Sequence, residues 1–94
     1  IPTVTVNPAL DLTYRLGELV FDDKLRAREV FRAPGGNGVN VSRVAARLGH
    51  PTVAMGFAGG RAGEEMVERL AAESVRAWFT HQGSETRTNV ILQD

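Results

Sequence analysis

A glycine-rich turn followed by a helical pattern is the part of this sequence best suited to binding a ligand. Gly35, Gly36 and Gly38 fall within four positions, with Asn37 between them. Because glycine has no Cβ atom, a ligand can lie close against the backbone of such a turn. The helix that follows points free N–H groups and a partial positive charge towards that ligand. We therefore expect a ligand site here, to which Asn40 near the first helical turn can offer its amide.

Asp11 is a second candidate for contact with a ligand. It follows residues 3–6, a β-branched run that predicts a strand, and Pro8 ends that strand because the residue before proline avoids helical conformations. Ligands of open α/β sheets bind beyond the carboxyl ends of the strands. A carboxylate there can accept hydrogen bonds from two neighbouring sugar hydroxyl groups. The alternative role for Asp11 is that of a turn or capping residue.

Positive charge is concentrated around the glycine-rich turn. Residues 24–47 contain six basic residues and one acidic residue, although the whole chain is neutral. Lys24 and Arg26 would share one face of a strand, where two cations repel each other unless solvent or an anion separates them. The zone predicts a small anionic ligand. Overall neutrality argues against nucleic acid, and a solvated basic face is the alternative.

The pattern of the chain predicts the order strand, hairpin, helix, strand, helix, strand, strand. Residues 12–33 lack helical spacing, and the turn-like composition of residues 17–23 within them indicates a hairpin or small accessory sheet. The apolar spacing predicts a helix from about residue 39 to 48 and a second one that the glycine cluster at residues 56–63 opens. The faces expected to be buried are Val41, Val44, Ala45 and Leu48 in the first helix, and Met66, Val67, Leu70 and Ala71 in the second.

The remaining segments predict a mainly parallel sheet with right-handed crossovers. Residues 53–57 are continuously apolar, which favours a strand buried on both faces. Residues 75–80 and 88–92 predict two further strands, and Glu64 and Glu65 are expected in the first turn of the second helix. These units are too few for a complete doubly wound sheet, so we expect the chain to be part of a larger fold.

Composition and spacing exclude several classes of protein. The 94 residues include no cysteine, which excludes a disulfide framework and thiolate chemistry and favours a reducing, cytoplasmic setting. No apolar run approaches the length of a membrane span. Neither glycine cluster has the spacing of a P-loop or of a dinucleotide fingerprint. His50 and His81 lack the spacing of metal ligands.

Ordered motifs make the chain resemble the ribokinase-like (PfkB) family of carbohydrate kinases. They are residues 5–11 (TVNPALD), 34–43 (PGGNGVNVSR), 56–64 (GFAGGRAGE) and 85–89 (ETRTN). The first two resemble the phosphofructokinase and tagatose-6-phosphate kinase branch. Residues 24–26 (KLR) are most similar to the minor-type 6-phosphofructokinases of bacteria.

The resemblance implies an α/β chain that is the amino-terminal portion of a ribokinase-like three-layer α/β/α fold. An accessory β-sheet lid would comprise residues about 12–33 and about 75–94. No catalytic residue is implied in this segment. The implied substrate-binding residues are Asp11, Lys24, Arg26, Gly35, Gly36, Asn40 and Arg87. Asp11 would hold sugar hydroxyls, Gly35, Gly36 and Asn40 would line the pocket, and Lys24, Arg26 and Arg87 would take the phosphate.

The implied activity is ATP-dependent phosphorylation of fructose 6-phosphate to fructose 1,6-bisphosphate. ATP and Mg²⁺ would bind mainly in a carboxyl-terminal part, which would also carry the catalytic aspartate of a DTxGAGD-like motif, so residues 1–94 alone are expected to be inactive. Lids of two subunits would pack as a homodimer, with neither a nucleic acid nor a membrane as partner. Asn37 stands where many members of the branch have lysine, which places more weight on Lys24, Arg26 and Arg87.

Three alternatives remain open from the sequence. One is a kinase for fructose 1-phosphate, tagatose 6-phosphate or another furanose sugar. A second is a non-catalytic protein of the same fold that binds sugar phosphates. The third is a free-standing α/β domain with a structural role.

Overall fold

The computed structural model describes residues 1–16 and 27–93, so the turn expected at residues 17–23 lies outside the described residues. The elements are β1 (Pro2–Thr5), β2 (Ala9–Leu16), β3 (Ala27–Gly35), α1 (Asn37–Arg47), β4 (Val53–Ala58), α2 (Gly60–Ala72), β5 (Arg76–His81) and β6 (Arg87–Gln93). The predicted order of strands and helices is confirmed, with boundaries that differ by a few residues.

A parallel sheet of order β1-β4-β5 forms the base of the molecule. Helix α1 precedes β4 and helix α2 follows it, and both pack on the same face of the sheet because their side chains meet in one core. The residues of that core are Val39, Ala54, Ala58, Met66, Leu70 and Val75. The predicted parallel sheet is thus confirmed.

A second sheet, of order β3-β2-β6, is the predicted accessory sheet. Strand β2 runs antiparallel to β3 and parallel to β6. The expectation that residues 75–94 all belong to this sheet is wrong, since β5 pairs with β4 in the parallel sheet. β5 follows α2 directly and completes a β4-α2-β5 crossover, which places it beside β4.

The face of α1 that packs on the sheet differs from the predicted one. Of the predicted face only Ala45 is buried, while Val41, Val44 and Leu48 are 53%, 52% and 71% exposed; Val39 and Ser42 are fully buried on the sheet side. The Ser42 hydroxyl lies 2.7 Å from the hydroxyl of Thr3 on β1, so two small polar side chains bring helix and strand together. The helix is apolar on two sides, and the described residues cover one of them.

The parallel sheet is also covered on one face only by the described residues. Val4, Met55 and Trp78 are paired in register across β1, β4 and β5, so they share the face opposite the helices. Val4 and Trp78 are exposed there, and Phe57 on β4 is 43% exposed. The prediction that β4 is buried on both faces therefore does not hold for the part of the chain described.

Helix α2 begins earlier than predicted, and this changes which carboxylate lies at its amino end. Because the helix starts at Gly60, Glu64 and Glu65 lie beyond its first turn. Glu85 takes that place instead, since its carboxylate accepts a hydrogen bond of 2.7 Å from the N–H of Ala62. Met66 and Leu70 are buried as predicted, but Ala71 is exposed.

Glu65 instead joins α2 to the accessory sheet. Its carboxylate accepts two hydrogen bonds from the guanidinium of Arg32 on β3, of 2.7 and 2.9 Å, and one of 2.8 Å from Arg69. Arg69 also donates to the backbone carbonyl of Arg32 at 3.3 Å. These contacts hold one outer strand of the accessory sheet against the helix.

The other outer strand is held at the start of the same helix. The Gly59 N–H donates to the hydroxyl of Thr86 at 3.0 Å, and the Thr86 N–H donates to the Gly59 carbonyl at 2.9 Å. Thr86 immediately precedes β6 and is almost fully buried. Both outer strands of the accessory sheet are therefore attached to α2 or to the residue before it.

The contacts of Glu65 predict a pH dependence of stability. Hydrogen bonds from Arg32 and then Arg69 lower the pKa of Glu65 from 4.5 to about 2. Folding therefore favours the deprotonated carboxyl, and its stabilising contribution is complete above about pH 4.5 and is lost as the pH falls towards 2. The difference in unfolding free energy between wild type and Glu65→Gln should shrink over that range. Denaturant titrations at several pH values measure it.

The control for this experiment is Glu68→Gln, which removes the same charge from an exposed position of α2. Carbon-detected NMR of the Glu65 carboxyl group should in addition show a titration midpoint near pH 2. A difference between wild type and Glu65→Gln that stays constant from pH 6 to pH 2.5 would contradict the assignment.

Candidate functional site

The glycine-rich turn connects the accessory sheet to α1. β3 ends at Gly35 and α1 starts at Asn37, with Gly36 as the N-cap between them. The φ angle of Gly36 is 119°, which lies in the left-handed region that favours glycine. A Cβ atom on Gly36 would also lie 2.8 Å from the methyl group of Thr5. The turn thus needs glycine for its conformation and for its close approach to β1.

Thr5, the last residue of β1, supplies the cap that Gly36 lacks. Its buried hydroxyl accepts a hydrogen bond of 3.0 Å from the N–H of Val39 in the first turn of α1. A Cβ atom on Gly38 would lie 2.5 Å from the same hydroxyl oxygen and 2.8 Å from the Val4 carbonyl oxygen. The strand therefore fixes where the helix begins, and Gly38 permits the contact.

Asp11 lies within β2 and not in the turn after β1. Its register partners are Ala33 on β3 and Asn89 on β6. Asn89 donates a hydrogen bond of 3.1 Å from Nδ2 to Oδ1 of Asp11. On the other side the carboxylate lies over Gly35, where any Cβ atom would overlap it. The alternative role of Asp11 as a turn or capping residue is therefore wrong.

Arg87 shares a face of the accessory sheet with Asp11. It pairs with Ala9, two residues before Asp11, and successive side chains of a strand alternate between faces. Its Nε donates to the carbonyl of Asn7 at 3.3 Å. Arg87 lines a cavity of about 310 Å³ together with residues 4–7 and 36–38. The guanidinium is thus placed beside the glycine-rich turn.

The structure brings together four of the predicted site residues, namely Asp11, Gly35, Gly36 and Arg87. Asn40 lies in the first turn of α1, where it is exposed and lines a different cavity with Ile1 and Val41. It does not line the cavity of Arg87. Lys24 and Arg26 lie outside the described residues, so their roles, like that of Asn40, stay predictions.

Three arginines of the basic zone are each paired with a glutamate in the described part of the chain. Arg32 pairs with Glu65, while Arg43 and Arg47 pair with Glu73 at 2.8 and 3.5 Å. Arg43 also donates to the carbonyl of Pro34 at 2.9 Å, which holds the chain just before the glycines. Arg43 therefore positions the turn, and Arg87 carries the positive charge in the lining of its cavity.

Two residues of the site were not singled out from the sequence. Asn89 contacts Asp11 directly, and Thr5 caps α1. The spacing of Arg87 and Asn89 could have indicated Asn89, because positions i and i+2 of a strand share a face. Thr5 gives no comparable signal, since its partner Val39 is 34 positions away along the chain.

Within residues 1–16 and 27–93 no three His, Cys, Asp or Glu side chains are grouped to hold a metal ion. The helices in the same part of the chain are too short or too polar to cross a membrane.

Comparison with known proteins gives a match to the pfkB family carbohydrate kinase model over residues 5–93. Phosphofructokinase-2 from Escherichia coli is 36% identical with a TM-score of 0.92, and the match covers 98% of this chain and 30% of that protein. It has been solved with substrates and products, with fructose-6-phosphate, and in a tetrameric inhibited form.

Two further solved structures extend the comparison. A Thermotoga maritima protein named as a possible 1-phosphofructokinase is 36% identical over 97% of this chain and 30% of its own, with a TM-score of 0.88. A candidate ribokinase from Agrobacterium tumefaciens shares the fold at 16% identity, with a TM-score of 0.81 over 97% of this chain and 31% of its own. The expected amino-terminal portion of a ribokinase-like fold is confirmed, and the chain spans about 30% of the length of these relatives.

The cap from Thr5 leads to a prediction about stability. Thr5→Val keeps the shape of the side chain but leaves the N–H of Val39 without its buried acceptor, so we expect a loss of about 1–2 kcal/mol in unfolding free energy. Urea titration of the protein measures this. Thr80→Val, at an exposed position of β5, is the matched control and should change stability by less than about 0.5 kcal/mol. Equal effects of the two substitutions would contradict the capping role.

Proposed function

The chain belongs to the PfkB family of carbohydrate kinases, and we propose that the longer protein containing it phosphorylates fructose 6-phosphate to fructose 1,6-bisphosphate with ATP. The observation that carries the proposal is the face shared by Asp11, Asn89 and Arg87 beside the glycine-rich turn. This face offers a carboxylate that can accept hydrogen bonds from sugar hydroxyl groups and a guanidinium that can bind a phosphate, next to the glycine backbone of the turn. Similarity to a phosphofructokinase-2 solved with fructose-6-phosphate supports the choice of sugar.

Each residue of this face has a separate role in the proposal. The carboxylate of Asp11 accepts hydrogen bonds from sugar hydroxyls, and Asn89 fixes its orientation by occupying one oxygen. Gly35 and Gly36 form the floor on which the ring lies. Arg87 donates to the 6-phosphate, because a guanidinium matches phosphate oxygens with paired N–H groups.

Lys24, Arg26 and Asn40 complete the proposed sugar site. Lys24 and Arg26 add positive charge at the phosphate, and Asn40 offers its amide from α1. ATP supplies the transferred phosphoryl group when bound with Mg²⁺. Residues 1–94 position the acceptor sugar in this scheme, and turnover needs the longer protein.

We further propose that the protein is a cytoplasmic homodimer joined through the accessory sheets. Phe31 and Ile91 flank Thr13 on the face of this sheet that carries Asp11, and both are exposed. Such side chains at the outer end of a three-stranded sheet suit contact with a second copy of it. The tetrameric form of the E. coli relative shows that related chains self-associate.

A kinase for fructose 1-phosphate is the second candidate. It is favoured by the T. maritima relative, which is as similar in sequence as the E. coli protein. Both sugars carry hydroxyl groups for Asp11, so the position of the phosphate relative to Arg87 decides between them.

A substrate panel with the longer enzyme tests the proposed function. We expect kcat/KM with fructose 6-phosphate to exceed the values with fructose 1-phosphate, tagatose 6-phosphate and fructose.

Variants of the proposed site test the roles of its residues. Arg87→Gln should selectively lower kcat/KM for the 6-phosphate by roughly tenfold or more, because a charge-assisted phosphate contact is lost. Asp11→Asn should impair all sugars alike. Faster turnover of another sugar would contradict the assignment of fructose 6-phosphate as the substrate. Binding of sugar phosphates without turnover would favour the non-catalytic alternative.

The proximity of Gly35 to Asp11 gives a second test of the site. In Gly35→Ala the new methyl group would displace the Asp11 carboxylate, which is the movable partner in that contact. We expect KM for the sugar to rise roughly tenfold, with little loss of stability because the heavy atoms nearest the Cβ atom are side-chain atoms of Asp11. Gly83→Ala is the control, since a Cβ atom there meets nothing within 4 Å. An unchanged KM in Gly35→Ala would show that Asp11 does not hold the sugar.

A further inference from the structure

The contact between Glu65 and Arg32 joins parts of the protein that carry different halves of the site. Arg32 lies on β3 next to Ala33, the register partner of Asp11, and three residues before Gly35. Glu65 lies on α2, which packs on the parallel sheet. The contact therefore links the accessory sheet, which carries Asp11, to the layer formed by the parallel sheet and its helices, into which the glycine-rich turn leads.

We propose that Glu65 is a positioning residue for the sugar site, which it serves by holding Arg32 and thereby setting the angle of the accessory sheet. This inference rests on the proposed function, because it assigns the effect to binding of a sugar phosphate. Side chains alternate along a strand, so Arg32 lies on the face opposite to Asp11. Glu65 thus acts from behind the sheet and touches no ligand.

The geometry of the contact suits positioning in addition to stabilisation. Two parallel N–H···O bonds of 2.7 and 2.9 Å restrict the guanidinium to one plane, which a single bond or a point charge would not do. The side chains of Arg32 and Glu65 are 43% and 27% exposed, so solvent screens part of the stabilisation that the lowered pKa of Glu65 reflects. A bidentate contact at such a site mainly selects one orientation.

Arg69 completes the arrangement from the same helix. It lies one turn after Glu65 and binds the same carboxylate oxygen as Arg32 Nε, at 2.8 Å. Its other contact, to the Arg32 carbonyl, links the helix to the backbone of β3 and not only to a side chain. Glu65 is thereby fixed on its own helix, so a change in its contact with Arg32 moves the strand and not the carboxylate.

The test compares three variants of the longer enzyme in steady-state kinetics. Glu65→Gln removes the charge, Arg32→Lys keeps the charge but loses the paired geometry, and Glu68→Gln is the matched control on the exposed side of α2. We expect the first two to raise KM and the calorimetric Kd for fructose 6-phosphate roughly two- to fivefold. Both kcat and KM for ATP should stay within about twofold.

The double variant Arg32→Lys with Glu65→Gln should be no worse than the worse single variant, because both act through one contact. Hydrogen exchange gives a readout that needs no turnover, and amides of β3 should exchange faster in Glu65→Gln than in Glu68→Gln. Equal sugar KM or Kd values in Glu65→Gln and Glu68→Gln, or equal exchange of β3 in both, would overturn the positioning role. If the wild-type enzyme does not phosphorylate sugar phosphates, the proposed function is wrong. Hydrogen exchange of the β3 amides still tests in that case whether Glu65 positions the accessory sheet.

Discussion

The attachment of the accessory sheet to α2 is the constraint on which the rest of the site depends. The sheet has three strands and a polar face, and it contributes little to the core that holds the helices on the parallel sheet. Leu10 on β2 and Pro34 on β3 are buried. Hydrogen bonds at two positions add direction to that packing, namely Thr86 with Gly59 beside β6 and Arg32 with Glu65 on β3. Directional contacts of this kind fix an angle, whereas apolar burial alone is non-directional.

The glycines of the turn and the polar residues of the accessory sheet form a single arrangement. Gly35 leaves the space that the carboxylate of Asp11 occupies, and Gly38 leaves the space for the hydroxyl of Thr5. The first contact shapes the proposed binding face, and the second sets the start of α1. Close approach of polar groups to a bare backbone therefore explains the glycine-rich motif in this protein, in addition to the φ angle of Gly36.

Much of this architecture could be predicted from the sequence, because strands and helices follow from local periodicity. The parallel sheet and the accessory sheet were indicated in this way, whereas the grouping of Asp11 with Gly35 and Arg87 was implied by the family resemblance. The errors arose where distant parts of the chain decide the outcome. Periodicity found an apolar face on α1, but the sheet packs against Val39 on another face. Likewise the residue that pairs with Glu65 lies 33 positions away, and nothing local indicates it.

The candidate site also depends on residues that are far apart in the sequence, because it lies where the two sheets meet. Arg87 extends from the accessory sheet, whereas Gly36 and the carbonyl of Asn7 belong to connections at the end of the parallel sheet. The cavity between them has walls on both sheets, so its width varies with the angle between the sheets. A site on one sheet would have a constant width, so binding of a ligand there would not depend on the angle between the sheets. A site between two sheets can instead couple binding of a ligand to the angle of the accessory sheet, because the ligand contacts both walls only at one setting.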